Sequence, residues 1–251
     1  MKCAVGIGTQ AWTFTKSSLK FRAADELTDF SGHEQGIDRL PLDEATRLAA
    51  TRRIEKALKN GIDRIGAGIL LLLFSPVLCL VGALVVIEGG QPIIHRRRVV
   101  GKGGEFDAFK FRTMRRDADA ILAANPVLNA EFERNFKLKN DPRLTRLGSL
   151  LRKFSLDELP QLFNVLKGQM SLVGPRMVTP AELEKYGECK KLLLTVKPGI
   201  TGYWQVNGRQ EVSYDERIRM DVYYIQNWNL WMDIEILLRT PVKVLKKEGA
   251  Y

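Results

Sequence analysis

Residues 65–87 read IGAGILLLLFSPVLCLVGALVVI, a stretch of the chain that contains no charged side chain. An uncharged apolar run longer than about 18 residues is typical of a helix inserted in a membrane. The alternative is a buried helix of a soluble core, but such a helix does not need apolar residues on every face over this length. The run therefore predicts a membrane-inserted helix.

Ser75 and Pro76 lie in the middle of this run. Proline lacks a backbone donor and clashes with the preceding turn, so the sequence predicts that the helix kinks or breaks here. The Ser75 hydroxyl could satisfy a backbone group that the proline frees, which lipid cannot do. Ser75 and Pro76 are thus the predicted break of the membrane helix.

Positive residues flank the apolar run on both sides, and positive residues prefer the cytoplasmic side of a membrane. A straight span would place one of the two clusters on the opposite side. A helix-break-helix that enters the membrane and returns places both on the cytoplasmic face, so we favour this re-entrant arrangement over a kinked span. The flanking residues are Arg52, Arg53, Lys56, Lys59 and Arg64 before the run, and His95, Arg96, Arg97 and Arg98 after it.

The whole chain is predicted to have three parts. Residues 1–50 form a weakly ordered N-terminal extension, residues 51–99 an amphipathic and re-entrant membrane helix, and residues 100–251 a cytoplasmic catalytic domain. Near its end, residues 228–238 present a broad apolar face rich in tryptophan, which indicates an interfacial helix, with soluble core packing as the alternative. Glycines at 101–104 indicate a turn between short strands. The predicted fold is therefore α+β and predominantly helical, in a monotopic membrane protein.

Composition narrows the class of partner. The chain has 251 residues and a formal net charge of +10, which favours nucleic acid, an anionic membrane or phosphate-rich substrates. No nucleic-acid motif occurs and the uncharged run argues against a nucleic-acid binder. A basic, non-enzymatic membrane scaffold is the other competing function. The three cysteines show no metal spacing or disulfide framework, and His33 and His95 are expected to be ordinary surface residues.

The segment Ser155-Leu156-Asp157-Glu158 allows two interpretations. Ser-x-x-Glu is the pattern of a capping box, in which Ser155 and Glu158 satisfy a helix N-terminus and Asp157 complements the helix dipole. Alternatively, Asp157 and Glu158 are an acidic pair beside basic residues, where a carboxylate attacks a phosphoryl group or holds magnesium. The pattern alone favours the capping box, and both interpretations can be partly true.

Basic residues accompany predicted strands and turns. Lys110 and Arg112 alternate with phenylalanines, so both would lie on one strand face and could grip a phosphate; a solvated face is the alternative. Arg176 and Lys197 lie in tight, proline-set turns, where backbone donors and cations approach anions. Each of these signals is weak by itself.

Several long motifs in one order resemble the bacterial sugar transferase family, the monotopic polyprenyl phosphoglycosyl transferases. The resemblance covers roughly residues 55–248, and within the family it is similar to enzymes that start exopolysaccharide assembly. The motifs are FSP at 74–76, KFRTM at 110–114, LDELPQLFNVLKG at 156–168, MSLVGPR at 170–176, PGITG at 198–202, QVNGR at 205–209 and DVYY at 221–224.

The resemblance implies a re-entrant helix broken at Ser75 and Pro76, and a catalytic dyad of Asp157 and Glu158. In the family the aspartate attacks the inner phosphate of a UDP-sugar, and uridine monophosphate (UMP) leaves. Polyprenyl (undecaprenyl) phosphate then takes the sugar phosphate from the aspartate. Mg²⁺ is required, and Asp157 and Glu158 are the expected ligands. UDP-glucose and UDP-galactose are the expected donors, with N-acetylated sugars as alternatives.

The family pattern also indicates which basic residues bind substrate phosphates. Residues matching Arg112 and Arg152 lie in the family's active site, and we add Lys110, Arg176 and Arg209. The expected partners are UDP-sugar, polyprenyl phosphate and membrane lipid, at the cytoplasmic face of the bacterial inner membrane, and a homo-oligomer is compatible with the sequence. Two departures are visible: Met177 stands where the family usually has proline, and the N-terminal extension has no match in the smallest members.

Overall fold

The computed structural model describes residues 12–13, 22–23, 42–135, 138, 141–208 and 212–245. The chain divides into two compact units, Met1–Lys56 and Ala57–Tyr251. In the first unit, strands β1 (Trp12–Thr13) and β2 (Arg22–Ala23) pair antiparallel. The other residues of the predicted extension before Leu42 lie outside the described residues. The first helix begins at Leu42, so residues 42–50 of the extension belong to it.

Helix α1 (Leu42–Gly89) contains the whole apolar run and continues through Pro76. The predicted break is therefore not a gap in the helix, and the re-entrant path stays a prediction. The Ser75 Oγ donates a hydrogen bond to the Leu72 carbonyl oxygen at 2.8 Å. That carbonyl would otherwise accept from the backbone nitrogen of residue 76, which in proline carries no hydrogen. The hydroxyl thus replaces the missing backbone bond, as predicted.

Of the helices that the structure describes, one is long and apolar enough to cross a membrane, and it lies within α1. Only 11% of its most apolar window is buried. A core helix of a soluble protein would be mostly buried, so this exposure fits the membrane interpretation better than the alternative of a soluble core helix.

A β-hairpin follows the apolar helix. Strands β3 (Ile94–Gly101) and β4 (Gly104–Phe111) pair antiparallel, with His95 opposite Lys110. Lys102 and Gly103 make the turn, which confirms the turn and strands expected there. The domain boundary predicted at residue 100 therefore falls inside a strand.

Short helices follow the hairpin. The first of them ends at Ala123, because Pro126 starts a new helix and disfavours helical backbone in the residue before it. The elements here are α2 (Ala118–Ala123), α3 (Pro126–Asn135), α4 (Arg146–Lys153), the 3-10 helix η1 (Leu156–Glu158) and α5 (Gln161–Leu166).

Two further strands, β5 (Ser171–Val173) and β6 (Gly199–Thr201), form a parallel pair. The sequence predicted turns at 197–202, but tertiary pairing makes residues 199–201 a strand. Gly174 and Gly199 approach so closely that a Cβ on Gly199 would lie 2.1 Å from the Gly174 nitrogen. The remaining elements are α6 (Pro180–Glu184), the 3-10 helix η2 (Gly187–Cys189), α7 (Lys190–Leu193), α8 (Tyr203–Asn207), α9 (Tyr214–Asn227) and α10 (Leu230–Leu245).

Within the second unit, the segments of α1 before and after Pro76 both pack against other elements. The described elements are mainly helices with short strand pairs, in agreement with the predicted α+β class. Ala67, with Leu70 and Leu71, joins a core built from the hairpin, β5 and α10. Beyond Pro76, Val81 and Val85 join a second core. Its members from elsewhere in the unit include Phe111, Leu151 and Leu156.

Buried polar contacts fix the first half of α1 to the rest of the unit. The Lys59 ammonium lies 2.5 Å from Asp233 Oδ2, and the Tyr224 hydroxyl donates to Asp233 Oδ1 at 2.7 Å. Asp63 accepts from the Ser171 hydroxyl at 2.7 Å. These contacts tie α1 to β5, α9 and α10.

The C-terminal end of α1 is held as well. The Glu88 carboxylate accepts a hydrogen bond from the Leu147 backbone nitrogen at 3.0 Å. The guanidinium of Arg112 donates to the Gly90 carbonyl oxygen at 2.6 Å, satisfying a carbonyl just past the end of the helix. Both ends of the apolar run therefore contact one unit.

Helix α10 agrees with both interpretations of residues 228–238, an interfacial helix and a helix packed in the core. Ile236 and Asp233 are buried on its inner face. Trp231, Leu238 and Leu245, each seven residues apart, are exposed on its outer face. The helix is therefore part of the core and also presents an apolar stripe suited to a membrane interface.

Candidate active site

Asp157 and Glu158 lie on η1, between α4 and α5, in the wall of a cavity of about 1530 Å³. Asp157 is 6% exposed. The Glu158 carboxylate lies 2.6 Å from the Lys110 ammonium, which reaches it from β4. The strand and the 3-10 helix thus bring two carboxylates and a lysine into one site.

The capping-box interpretation of this segment is wrong. Ser155 adopts a left-handed backbone conformation with φ of 55°, and its side chain makes no capping hydrogen bond. A capping serine normally has extended backbone, which directs its hydroxyl to the first turn. Glu158 turns to Lys110 instead of back to Ser155. The acidic pair is therefore available for chemistry.

The two carboxyl groups have different proton affinities. Burial raises the pKa of Asp157 to about 6; the Glu158 charge adds to this effect, while Lys110 and Arg152 oppose it. Burial also works against ionisation of Glu158, but Lys110, together with more distant arginines, outweighs it and lowers that pKa. At neutral pH both groups are mainly ionised, and Asp157 is the more basic carboxylate.

The structure brings four of the five predicted phosphate-binding residues to this cavity: Lys110, Arg112, Arg152 and Arg176. Arg209 lies outside the described residues. Ser75 and Pro76, on α1, are not in the cavity wall that the described residues form.

These basic residues are held by other parts of the unit. The Arg152 Nε donates to the Thr113 hydroxyl at 3.0 Å. Arg112 uses one terminal nitrogen for the Gly90 carbonyl, and its Nη1 is buried without a partner among the described residues. Arg112 therefore anchors the end of α1 and keeps one donor available in the cavity wall.

The cavity residues that sequence reasoning did not place in a site include His95, Arg97, Trp204 and Arg217. His95 is exposed, as predicted, but the surface on which it lies is the cavity wall. Its pairing with Lys110 across the hairpin was the signal that could have located it. Partial desolvation at the cavity wall, with the charges of Arg97, Lys110 and Arg152, lowers the pKa of His95 although the residue stays partly exposed, so it is neutral at neutral pH.

Part of the cavity wall is apolar. Leu70 and Phe74 of α1 form it together with Leu237, Pro241 and Val244 of α10. These are the two helices that carry the exposed apolar surfaces. The cavity can therefore accept a ligand with an anionic group at the carboxylate pair and an aliphatic portion along α1 and α10.

A divalent cation would find two adjacent carboxylates here. The described residues contain no group of three or more His, Cys, Asp or Glu side chains that could enclose a metal. Magnesium is often bound by one or two carboxylates, with substrate phosphates and water completing the shell. Asp157 and the Glu158 oxygen that Lys110 leaves open fit that mode of binding.

The fold and the cavity define a class of protein: an α+β protein whose basic, carboxylate-containing cavity is bordered by an exposed apolar helix. Residues 54–247 match the bacterial sugar transferase family, and the chain belongs to that family. The resemblance carried by the sequence motifs is thereby confirmed.

Characterised relatives share the same region. The chain is 48% identical over 198 residues to the UDP-galactose-lipid carrier transferase of Erwinia amylovora, covering 77% of this chain and 42% of that protein. It is 42% identical over 207 residues to the exopolysaccharide production protein ExoY of Rhizobium meliloti, covering 80% and 92%. It is 37% identical over 225 residues to the UDP-glucose:undecaprenyl-phosphate glucose-1-phosphate transferase of Escherichia coli, covering 86% and 45%. The chain thus spans less than half the length of the first and third of these relatives.

Proposed function

We propose that this protein transfers a hexose 1-phosphate from a UDP-sugar to polyprenyl phosphate and releases UMP. The observation that carries the proposal is the position of Asp157 and Glu158 in a cavity with both a basic and an apolar wall. A nucleotide sugar supplies the anionic ligand and a polyprenyl chain supplies the aliphatic one. The names of the relatives, which include a UDP-galactose-lipid carrier transferase and a glucose-1-phosphate transferase, support this assignment.

The transfer proceeds in two steps. A carboxylate oxygen of Asp157 attacks the phosphorus that bears the sugar, forming an acyl phosphate while the bond to the bridging oxygen breaks. The bonding electrons leave with UMP. An oxygen of polyprenyl phosphate then attacks the same phosphorus, and the Asp157 carboxylate is regenerated. Dividing the reaction in this way means that the donor and the acceptor need not occupy the cavity together.

The residues around Asp157 have distinct roles in these steps. Lys110 keeps Glu158 ionised and oriented, and Arg152 offsets charge at the phosphoryl group. Mg²⁺, held by Asp157 and Glu158, would neutralise phosphate charge and orient the donor. The pKa of about 6 leaves Asp157 largely ionised at neutral pH, as a nucleophile must be.

We further propose that α1 is re-entrant, at the cytoplasmic face of the bacterial inner membrane. Asp63 and Glu88 both bond to the same compact unit. Twenty-five helical residues extend about 37 Å, whereas the hydrocarbon core is about 30 Å thick. A straight span between these two residues would separate them across the membrane. Contacts with one unit at both ends support the re-entrant path.

The covalent intermediate is tested by incubating the protein, in lipid nanodiscs, with Mg²⁺ and UDP-hexose labelled in the sugar. Without acceptor, we expect label on Asp157 and release of UMP in equal amount. Adding polyprenyl phosphate should discharge the label into lipid. UDP-glucose, UDP-galactose and their N-acetylated counterparts are compared in parallel, because the donor sugar is part of the proposal.

Asp157→Asn should remove both the label and UMP release. Asp119→Asn, which changes an exposed carboxylate in the same cavity, is the matched control and should keep both. Turnover by folded Asp157→Asn would contradict the covalent mechanism. Failure of the wild-type protein to release UMP from every donor would favour a non-enzymatic membrane scaffold.

A further inference from the structure

Arg217 is a buried cation that the steps above do not use. It lies in the first turn of α9 and is 9% exposed. Its Nε has no hydrogen-bond partner among the described residues, and the same is true of the indole nitrogen of Trp204. The Arg217 guanidinium carbon lies 5.1 Å from the centre of the Trp204 ring. Buried donors are normally satisfied, so two unsatisfied donors together indicate a place for a ligand acceptor.

The surroundings of Arg217 carry excess positive charge. Arg97 lies 2.8 Å and Arg176 lies 4.0 Å from oxygens of one buried carboxylate, Glu182. Asp221 is a second buried carboxyl group of this cluster, and burial raises its pKa to about 7. Glu158 also lies near these arginines, but its charge is paired with Lys110. Three guanidinium groups thus face the carboxyl groups of Glu182 and Asp221, and the Asp221 carboxyl is partly protonated at neutral pH. A bound anion would balance this charge.

The cluster opens into the active-site cavity. Arg97, Arg176, Trp204 and Arg217 line the same cavity as Glu158. The charges of Arg97 and Arg176 are also felt at Glu158, where they act against burial to lower the carboxyl pKa. An anion held by Arg217 would therefore lie close to the site where phosphoryl transfer is proposed.

The neighbours of Arg217 favour a nucleotide over a lipid phosphate. The Trp204 ring, which lines the cavity, lies 5.1 Å from its guanidinium carbon. Aromatic rings suit a planar base or a ribose. The aliphatic wall that suits a polyprenyl chain is formed by residues of α1 and α10, whereas Arg217 lies on α9 and Trp204 on α8.

We propose that Arg217, with Arg176 and Trp204, binds the phosphate of the departing nucleoside monophosphate; this subsite rests on the function proposed above. When the bond between the two phosphates breaks, its electron pair stays on the bridging oxygen. The leaving phosphate thereby gains negative charge, which Arg217 and Arg176 offset. Arg217 acts on the donor side of the reaction, and the acceptor uses the apolar wall.

The test compares Arg217→Gln with Arg219→Gln, which changes an arginine of the same helix outside the cavity wall. UMP binding is measured by its protection against thermal unfolding in nanodiscs, with inorganic phosphate as the reference ligand. The donor and acceptor KM values are measured separately. Loss of charged hydrogen bonds should weaken UMP protection and raise the donor KM by about tenfold or more in Arg217→Gln. The acceptor KM should stay near the wild-type value, and Arg219→Gln should resemble the wild type throughout.

Two outcomes would overturn the subsite. A raised acceptor KM with an unchanged donor KM would assign Arg217 to the lipid phosphate. Equal UMP protection and equal donor KM in Arg217→Gln and Arg219→Gln would show that Arg217 does not bind the nucleotide. If Arg217→Gln shows no folding transition, Arg217→Lys replaces it; lysine keeps the charge but lacks the forked donors, so UMP protection must still weaken. If UMP protects the wild-type protein against unfolding but the protein transfers no sugar phosphate, the proposed reaction is refuted and the nucleotide subsite is retained.

Discussion

The Ser75 hydroxyl is bonded to the Leu72 carbonyl at 2.8 Å, in place of the backbone donor that Pro76 lacks. With α1 inserted in a membrane, as proposed above, this carbonyl has no water to pair with. The serine therefore allows a proline to remain in the middle of the apolar run. At Pro76 the helix is thus continuous although one of its backbone hydrogen bonds is missing.

Ser75→Ala should leave the Leu72 carbonyl unpaired and lower the free energy of unfolding by about 1–3 kcal/mol. In the double variant Ser75→Ala/Pro76→Ala, the new backbone N–H can serve that carbonyl, so much of the loss should be recovered. Thermal unfolding in nanodiscs measures both. A double variant no more stable than Ser75→Ala would show that the two residues are not coupled.

Pro76→Ala alone should let the helix straighten, because it restores the donor and removes the clash. We expect a shift toward a spanning form and loss of transferase activity. Cysteine accessibility in intact cells, at the positions described next, reports the topology. An unchanged topology would mean that the flanking charges and the packing of α1 direct its path.

A re-entrant α1 places both of its ends on the same side of the membrane. Single cysteines at the exposed positions Lys56 and Lys102, in a background without native cysteines, should show equal accessibility to an impermeant reagent in intact cells. Lys59 is unsuitable for this purpose because it belongs to a buried ion pair. Labelling of one position and protection of the other would establish a full span.

Asp157 should affect activity and stability in opposite directions as the pH changes. Activity should fall as the pH drops through about 6, because protonated Asp157 cannot attack phosphorus. Its folded pKa exceeds the unfolded value of about 4. Protonation therefore stabilises the folded protein, and that stabilisation is lost as the pH rises through about 6.

Asp157→Asn carries no charge at any pH, so it should gain stability over the wild type as the pH rises through the same window. The gain should be about 1–3 kcal/mol at pH 8 and should vanish below about pH 4. Thermal unfolding without Mg²⁺ and substrates measures it, with the exposed Asp119→Asn variant as the control. A pH-independent difference would mean that burial does not perturb the Asp157 carboxyl.

The buried pair of Lys59 and Asp233 should be essential to the attachment of α1. Asp233→Ala leaves Lys59 with only the longer 3.8 Å contact to Asp63 and removes the acceptor of the buried Tyr224 hydroxyl, and we expect a loss of about 3–5 kcal/mol. Removing the charge as well, in Lys59→Met/Asp233→Ala, should recover part of it. Glu235→Ala breaks an exposed pair on the same helix and should cost less than about 1 kcal/mol. Equal losses for Asp233→Ala and Glu235→Ala would contradict the anchoring role.

Local features of the chain were predictable because their physical causes are local. The uncharged run at 65–87 is long enough to identify an apolar helix, and the glycines at 101–104 mark a turn. Serine before proline indicated which residue would satisfy the freed carbonyl. The motifs and their order along the chain predicted the family, and through the family the acidic pair Asp157 and Glu158.

Tertiary contacts decided what local pattern could not. Ser155-x-x-Glu158 matches a capping box, yet the segment takes another conformation in which Lys110, 48 residues away from Glu158, pairs with its carboxylate. Residues 199–201 become a strand only because β5 lies beside them.

The sequence by itself therefore determined the apolar helix, the hairpin and the motifs of the sugar transferase family, since each depends on residues close together in the chain. Only the tertiary structure placed Arg97, Arg176 and Arg217 around one carboxylate, Glu182. It alone raised the pKa of Asp157 and brought both ends of the apolar run to one unit. Burial and long-range charge depend on which distant segments pack together, and no spacing along the chain encodes them.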